Sequence, residues 1–277
     1  MIFHADAPHN PLRTDSNASL SMPTLPAPDS IELPSYWLGS TRLLDLNDPK
    51  LRIQAMSLTQ LSDTDTQKVV AIHEFIKAMP FGCVAGFDHV PAAAVLRAGY
   101  GDCHTKGTLF VALLRCVGLP ARLRFVTLSS AFLYGIIAPP QNTVIHAIGE
   151  VYLDGRWIQT DTYVTDIELE SSAEKLLLDQ GRRLGYGIHL EGARQWDAFN
   201  DAHGQSAASD EASLPVQDWG VAHDPEQFYA SAEHPSLRRG WLTRAKWMLA
   251  AGLVNRRAQQ VRLSGMANAD QRWESDR

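Results

Sequence analysis

Cysteine is scarce in this chain. The 277 residues include only Cys83, Cys103 and Cys116. An odd count without CxxC spacing argues against a disulfide framework and against a structural zinc site. Long apolar runs are also missing, and none approaches the ~20 residues needed to cross a bilayer as a helix. The opening MIFHADAPHNPLR has no basic stretch followed by an apolar one. No secretory signal is therefore expected, and a reducing cytoplasm is the expected location. Positive charge is not in excess: the formal net charge is −6 and the isoelectric point is near 5.9. Nothing here calls for nucleic acid or an anionic membrane as partner. Internal repeats and low-complexity tracts are absent.

What is present is a chain with 45% hydrophobic residues, enough to bury a core in one large domain or in one domain with an extension. Residues 1–30 are rich in Pro, Ser, Asn and Asp and read as a mobile tail. Asn47-Asp48-Pro49 reads as a helix start, with proline in the first turn. A second helix is expected to start at Ser62, which has Asp65 three residues on, with Val69, Ile72, His73, Phe75, Ile76 and Met79 as its apolar stripe. A short helix follows Pro91 and stops at Gly99. The best-defined helix runs from Asp102, a good N-cap, to Val117, with Gly118 and Pro120 beyond it. Ala121–Leu128 alternates as a strand, and Ser129–Thr143 reads as a loop. Val144–Leu153 and Arg156–Tyr163 form a hairpin across Asp154-Gly155, a strong turn signal. Ser171 with Glu174 marks a helix through Leu178, residues 200–213 read as loop, and Leu237–Leu263 reads as a terminal helix carrying Trp241, Trp247 and Leu249.

The chemistry begins at Cys103, in the first turn of the well-capped helix. A helix N-terminus offers partial positive charge and free N–H groups, which favour a thiolate and can stabilise an oxyanion. Gly107, one turn on, leaves room against that face. A lone cysteine is more often an inert buried residue, and Cys116, among Leu113, Leu114 and Val117, fits that description; Cys83 is undecided. A nucleophilic cysteine needs a base, and the base needs an orienting partner. His104 is adjacent, but neighbouring helical residues point about 100° apart, so His146 is the better candidate. If Asp154-Gly155 is a two-residue turn, Leu153 opposes Arg156 and Ile148 opposes Asp161. His146 and Asp161 are then diagonal neighbours on one face, about 7–8 Å apart between backbones, within reach of a carboxylate–imidazole bond.

These residues resemble the transglutaminase-like superfamily, a papain-related group of cysteine enzymes. The matching stretches are GYGDCHTKGTLFVALLRCVGLPARLRF and HAIGEVYLDGRWIQTD, within about residues 60–166. The resemblance implies an α+β, papain-like fold in which a Cys-bearing helix packs on an antiparallel sheet carrying His and Asp. It also implies a catalytic triad of Cys103, His146 and Asp161 that needs no cofactor. The expected organisation is a tail over 1–30, a catalytic core over 31–166 and a partly helical C-terminal extension over 167–277.

There are departures. Ile148 stands where many members have an aromatic residue. The upstream tryptophan of animal members has no counterpart nearer than Trp37, so the Cys103 backbone N–H is the safer oxyanion donor. No acidic loop with calcium-ligand spacing is evident, and no metal is expected. The family includes amide cross-linkers, peptidases, deamidases and inactive binding modules, and fold does not choose among them. The expected activity is therefore acyl transfer from an amide or thioester of a peptide, protein or small molecule, through a thioester intermediate resolved by an amine or by water. A cysteine peptidase or amidase, or a silent binding module, is the alternative.

Three further features bear on binding. Phe132 and Tyr134, in the loop before His146, are candidate substrate-binding residues. Arg122 and Arg124 share a strand face and could hold an acidic substrate group, although a solvated face is the expected arrangement. Arg238, Arg239, Arg244, Lys246, Arg256, Arg257 and Arg262 make the terminal helix basic; it is expected to pack its apolar side on the domain.

Overall fold

The structure, a computed structural model, describes residues 33–139, 141–231 and 250–264, and of Phe87 only the backbone. The tail expected over 1–30 lies outside the described residues. So do Trp241, Trp247, Leu249, Arg238, Arg239, Arg244 and Lys246 of the expected terminal helix.

Local chemistry explains most of the first helices. Helix α1 (Pro49–Thr59) starts where expected, with the Asp48 carboxylate accepting from the Lys50 and Leu51 N–H groups. Helix α2 (Asp65–Ala78) is capped by Thr64 rather than Ser62. Thr64 has Gln67 three residues on, and a glutamine there caps more readily than the aspartate that follows Ser62. The Thr64 hydroxyl accepts the Gln67 N–H, and the Gln67 amide oxygen accepts the Asp63 N–H. Helix α3 (Ala92–Ala98) stops at Gly99, whose φ of 72° is the left-handed value glycine tolerates.

Helix α4 (Cys103–Cys116) is the spine of the molecule, with every residue from His104 to Arg115 buried. Asp102 and Thr105 form a reciprocal capping box at its start. Gly118, with φ 81°, turns the chain out at its end.

The main sheet is antiparallel, in the order β3-β2-β1-β6, from β1 (Ala121–Ser129), β2 (Thr143–Leu153), β3 (Arg156–Thr160) and β6 (Gln217–Ala222). The hairpin register is the expected one: Leu153 pairs with Arg156 and Gly149 with Thr160. Asp154 and Gly155 have φ of 48° and 83°, as a type I′ turn requires. Helix α4 packs on β1 and β2. The approach is close at Gly149, where a Cβ would lie 2.8 Å from the Phe110 ring.

Strand β3 ends at Thr160, three residues before the expected Tyr163. Side chains take over the backbone and hydroxyl groups that a continuing ladder would have engaged. The Thr160 and Thr162 hydroxyls bond each other at 2.8 Å, and His73 Nε2 contacts the Thr162 hydroxyl at 2.8 Å. The buried Lys106 ammonium donates to the carbonyls of Tyr163 and Val164 at 2.9 and 3.0 Å.

Beyond the hairpin, helix α5 (Ile167–Asp179) begins four residues before the expected Ser171, because Asp166 caps it by accepting the Leu169 N–H. Two short strands, β4 (Leu184–Gly185) and β5 (Ile188–His189), pair with each other. Helix α6 (Pro225–Ala230) follows β6. Residues 250–264 are helical (α7). Ala251, Val254, Ala258 and Val261 of α7 are buried with Leu169, Ala173 and Leu177 of α5. This is the packing expected of the terminal helix, within its described part.

Arg122 and Arg124 do not form a solvated face: both bind the buried Glu150 carboxylate, and Arg122 also stacks over the Trp157 ring at 3.8 Å. The Arg pair therefore neutralises a buried acid and presents no free cationic surface.

Candidate active site

The start of helix α4 sets the position of Cys103. The Asp102 carboxylate accepts the N–H groups of His104 and Thr105, at 3.1 and 3.0 Å. Among the described residues no hydrogen bond takes the Cys103 N–H, so that group stays open beside the half-buried thiol. An open N–H at a helix N-terminus suits an oxyanion.

His146 is on β2, opposite Val126 of β1, and is fully buried. Its neighbours Ala147 and Gly149 belong to the face that packs on α4. His146 alternates to the other face and meets Cys103 in a narrow cleft of about 100 Å³ at the N-terminal end of the helix. Its Nε2 lies 3.0 Å from Asp161 Oδ2. Asp161 is the first residue after β3, one step past the last ladder pair. The diagonal relation inferred from the register thus survives the early end of the strand.

The electrostatics follow from burial set against partners. Burial disfavours a charged His146. The negative charge of Cys103, the hydrogen bond to Asp161 and the contact with Cys103 outweigh it, pushing the imidazole pKa up to about 10. Burial likewise works to raise the Asp161 carboxyl. The bond and charge of His146, the charge of His203 and the Gly204 N–H hold it below the ordinary carboxylate value instead. Burial pushes the thiols of Cys83 and Cys116 upward.

Several participants were not visible as sequence signals. Gly204 donates its N–H to Asp161 Oδ1 at 2.7 Å, and the Asp161 N–H donates to Ala202 O at 3.3 Å. His203 Nδ1 lies 4.0 Å from Asp161 Oδ2. These residues sit in a stretch that reads as polar loop, and no local pattern links them to a site more than forty positions upstream. His104 revises the geometric premise used to set it aside, because its Nδ1 is 3.3 Å from Cys103 Sγ. The 100° divergence applies to Cα–Cβ directions, whereas a sulfur and an imidazole, each one or two bonds further out, can rotate back toward each other.

Of the two candidate substrate-binding residues, Phe132 lines the cleft, its ring edge-on to His146 with centroids 5.8 Å apart. Tyr134 does not; it lines a separate pocket of about 530 Å³ and carries Arg182 over its ring at 3.9 Å. Trp37 is remote from the cleft, packed against Arg122, Trp157 and His223. Cys83 shares the cleft wall, whereas Cys116 contacts Leu46 O at 3.9 Å elsewhere in the core. Among the described residues no group of three or more His, Cys, Asp or Glu side chains is arranged to hold a metal ion. No helix among them is long and apolar enough to cross a membrane.

Comparison with known proteins identifies the core. No curated protein matches the chain. Among solved structures, a candidate cysteine protease from Cytophaga hutchinsonii is 22% identical, with 48% of this chain and 41% of that one covered and a TM-score of 0.38. A candidate protease from Parabacteroides distasonis ATCC 8503 is 17% identical, with coverages of 43% and 24% and a TM-score of 0.32. The chain thus spans less than half the length of either. Residues 54–162, which include Cys103, His146 and Asp161, match the sequence model of the Transglutaminase-like superfamily, and this segment is a transglutaminase-like core within an α+β, papain-like fold.

Proposed function

We propose that the protein is a cysteine acyl-transfer enzyme with Cys103, His146 and Asp161 as its triad. The observation that carries this reading is the setting of His146: one nitrogen is bonded to Asp161, and Cys103 meets the same buried imidazole in the cleft they share.

In the proposed reaction the Cys103 sulfur attacks the carbonyl carbon of an amide or thioester. The thiol proton goes to His146, and the oxyanion is received by the Cys103 N–H. The tetrahedral adduct collapses as His146 returns the proton to the departing amine or thiol, leaving a thioester on Cys103. An amine or water then attacks that thioester, giving its proton to His146, and the sulfur leaves. Asp161 fixes the imidazole tautomer and stabilises its charged form. The raised His146 pKa suits the proton-donating half of the cycle. Phe132, Leu133, Ile137, Val144 and Ile145 wall the cleft, which favours a slender acyl chain and limits water, so an amine is the preferred acceptor. A free thiol nucleophile suits a reducing compartment such as the cytoplasm. The working unit is the core over 31–166 completed by part of the C-terminal extension.

The test is intact mass after exposure to a panel of amides, esters and thioesters. A covalent acyl adduct is expected on the wild-type protein and none on Cys103→Ala. Primary amines should speed adduct decay; decay unaffected by amines would make the protein a hydrolase. A folded wild-type protein that forms no adduct with any donor would replace this reading with that of a binding module.

A further inference from the structure

Two imidazoles, not one, approach the candidate nucleophile. His104 is 2% exposed, with Nδ1 3.3 Å from Cys103 Sγ and Nε2 3.1 Å from the Tyr229 hydroxyl. Its ring lies nearly parallel to that of Tyr229, at 22° and 5.9 Å between centroids. Phe125 of β1 packs against it at 5.9 Å and is itself stacked on Phe228 at 4.0 Å. The ring is therefore held on several sides, and both of its nitrogens meet a polar atom.

The chemistry of the two contacts favours one placement of the proton. A phenol donates more readily than it accepts, and with the Tyr229 O–H donating to Nε2 the imidazole proton resides on Nδ1. That N–H then points at the sulfur, where it is worth most when the sulfur is anionic. We propose that His104, oriented by Tyr229, is a positioning residue that holds the Cys103 sulfur through an Nδ1–H hydrogen bond while His146 handles the transferred proton. The inference rests on the acyl-transfer reading of Cys103. The polar groups described around the ring are Cys103 and Asp102 on α4 and Tyr229 on α6; β1 offers only Phe125.

The test uses the full chain, with iodoacetamide alkylation of Cys103 followed by mass spectrometry across pH 5–10. His104→Gln keeps an amide near the Nε2 position and loses the donor at Nδ1. It should slow alkylation at neutral pH on the order of 10-fold and move the midpoint of the profile upward. His104→Asn puts an amide N–H near the Nδ1 position and should restore most of the rate. A folded His104→Gln with the wild-type rate and midpoint would overturn the proposal and leave the triad intact. Loss of selective labelling on His146→Ala, by contrast, bears on the triad alone. Should the variants fail to fold, the ring ¹⁵N signals of the wild-type protein decide: an Nδ1–H tautomer at His104 is expected, and an Nε2–H tautomer would refute the role.

Discussion

Residues 54–162 contribute differently to the candidate site from residues 167–231 and 250–264. The first region carries the proposed reacting groups, and much of it folds by local rules: caps for α4, alternation for β1 and β2, a type I′ turn for the hairpin. The second supplies groups that hold those side chains and is tied down by long-range polar contacts. Gly204 grips Asp161 and Tyr229 grips His104. Arg262 pairs with Asp166 at 2.6 Å, and Asn255 bonds both backbone groups of Cys83. The proposed reacting groups and the groups that hold them thus lie in separate parts of the chain.

The comparison can be broken from either side. The largest effect is expected within the first region. Asp161→Asn should fold and still bind His146, but in the wrong tautomer, and turnover should fall by up to ~10⁴-fold as in serine triads; steady-state kinetics on any donor that acylates Cys103 measures this. Next is the clamp of the second region. Arg262→Met leaves the Asp166 carboxylate buried without its cation, and urea denaturation should show a loss of about 3–5 kcal/mol. A change below 1 kcal/mol would mean that α7 does not brace the core.

The sharper test is at Gly204. Replacement by proline removes the N–H that holds Asp161 Oδ1 and should slow turnover by ~10–100-fold, the value of one charge-assisted hydrogen bond. Gly204→Ala keeps that N–H, with its Cβ 3.4 Å from Ala193 O, and should stay near wild type. Equal activity in the two variants would confine the active machinery to the first region.

What separates the legible from the illegible is distance along the chain. Cys103, His146 and Asp161 were legible because each depends on neighbours within a few residues: Asp102 and Thr105 for the helix start, Asp154-Gly155 for the register. The end of β3 was not, because His73 and Lys106, distant in sequence, take over the groups past Thr160. The start of α5 was misplaced although its cap, Asp166, is an ordinary one. The role of Asp166 is set jointly by Leu169, Phe81 and Arg262, and only the first is local. Tyr229 and Gly204 carry no motif; only the closed fold brings them to the site.

Lys106 couples the bend after Asp161 to protons. Burial is the main force on this side chain, and its pKa is pushed down to about 7 despite the nearby charge of Asp166. An unfolded lysine keeps its proton to about pH 10.4. Between about 7 and that value the unfolded chain binds more protons than the folded one, so this residue makes stability rise with pH, by at most ~1.4 kcal/mol per pH unit. Below 7 both states are protonated, and the full cost of a buried ammonium is present. Lys106→Met should lack this slope when urea midpoints are compared at pH 7, 8 and 9. A neutral amine still carries two hydrogens, one for each of the carbonyls of Tyr163 and Val164, so the clamp beside the acid outlasts its own charge.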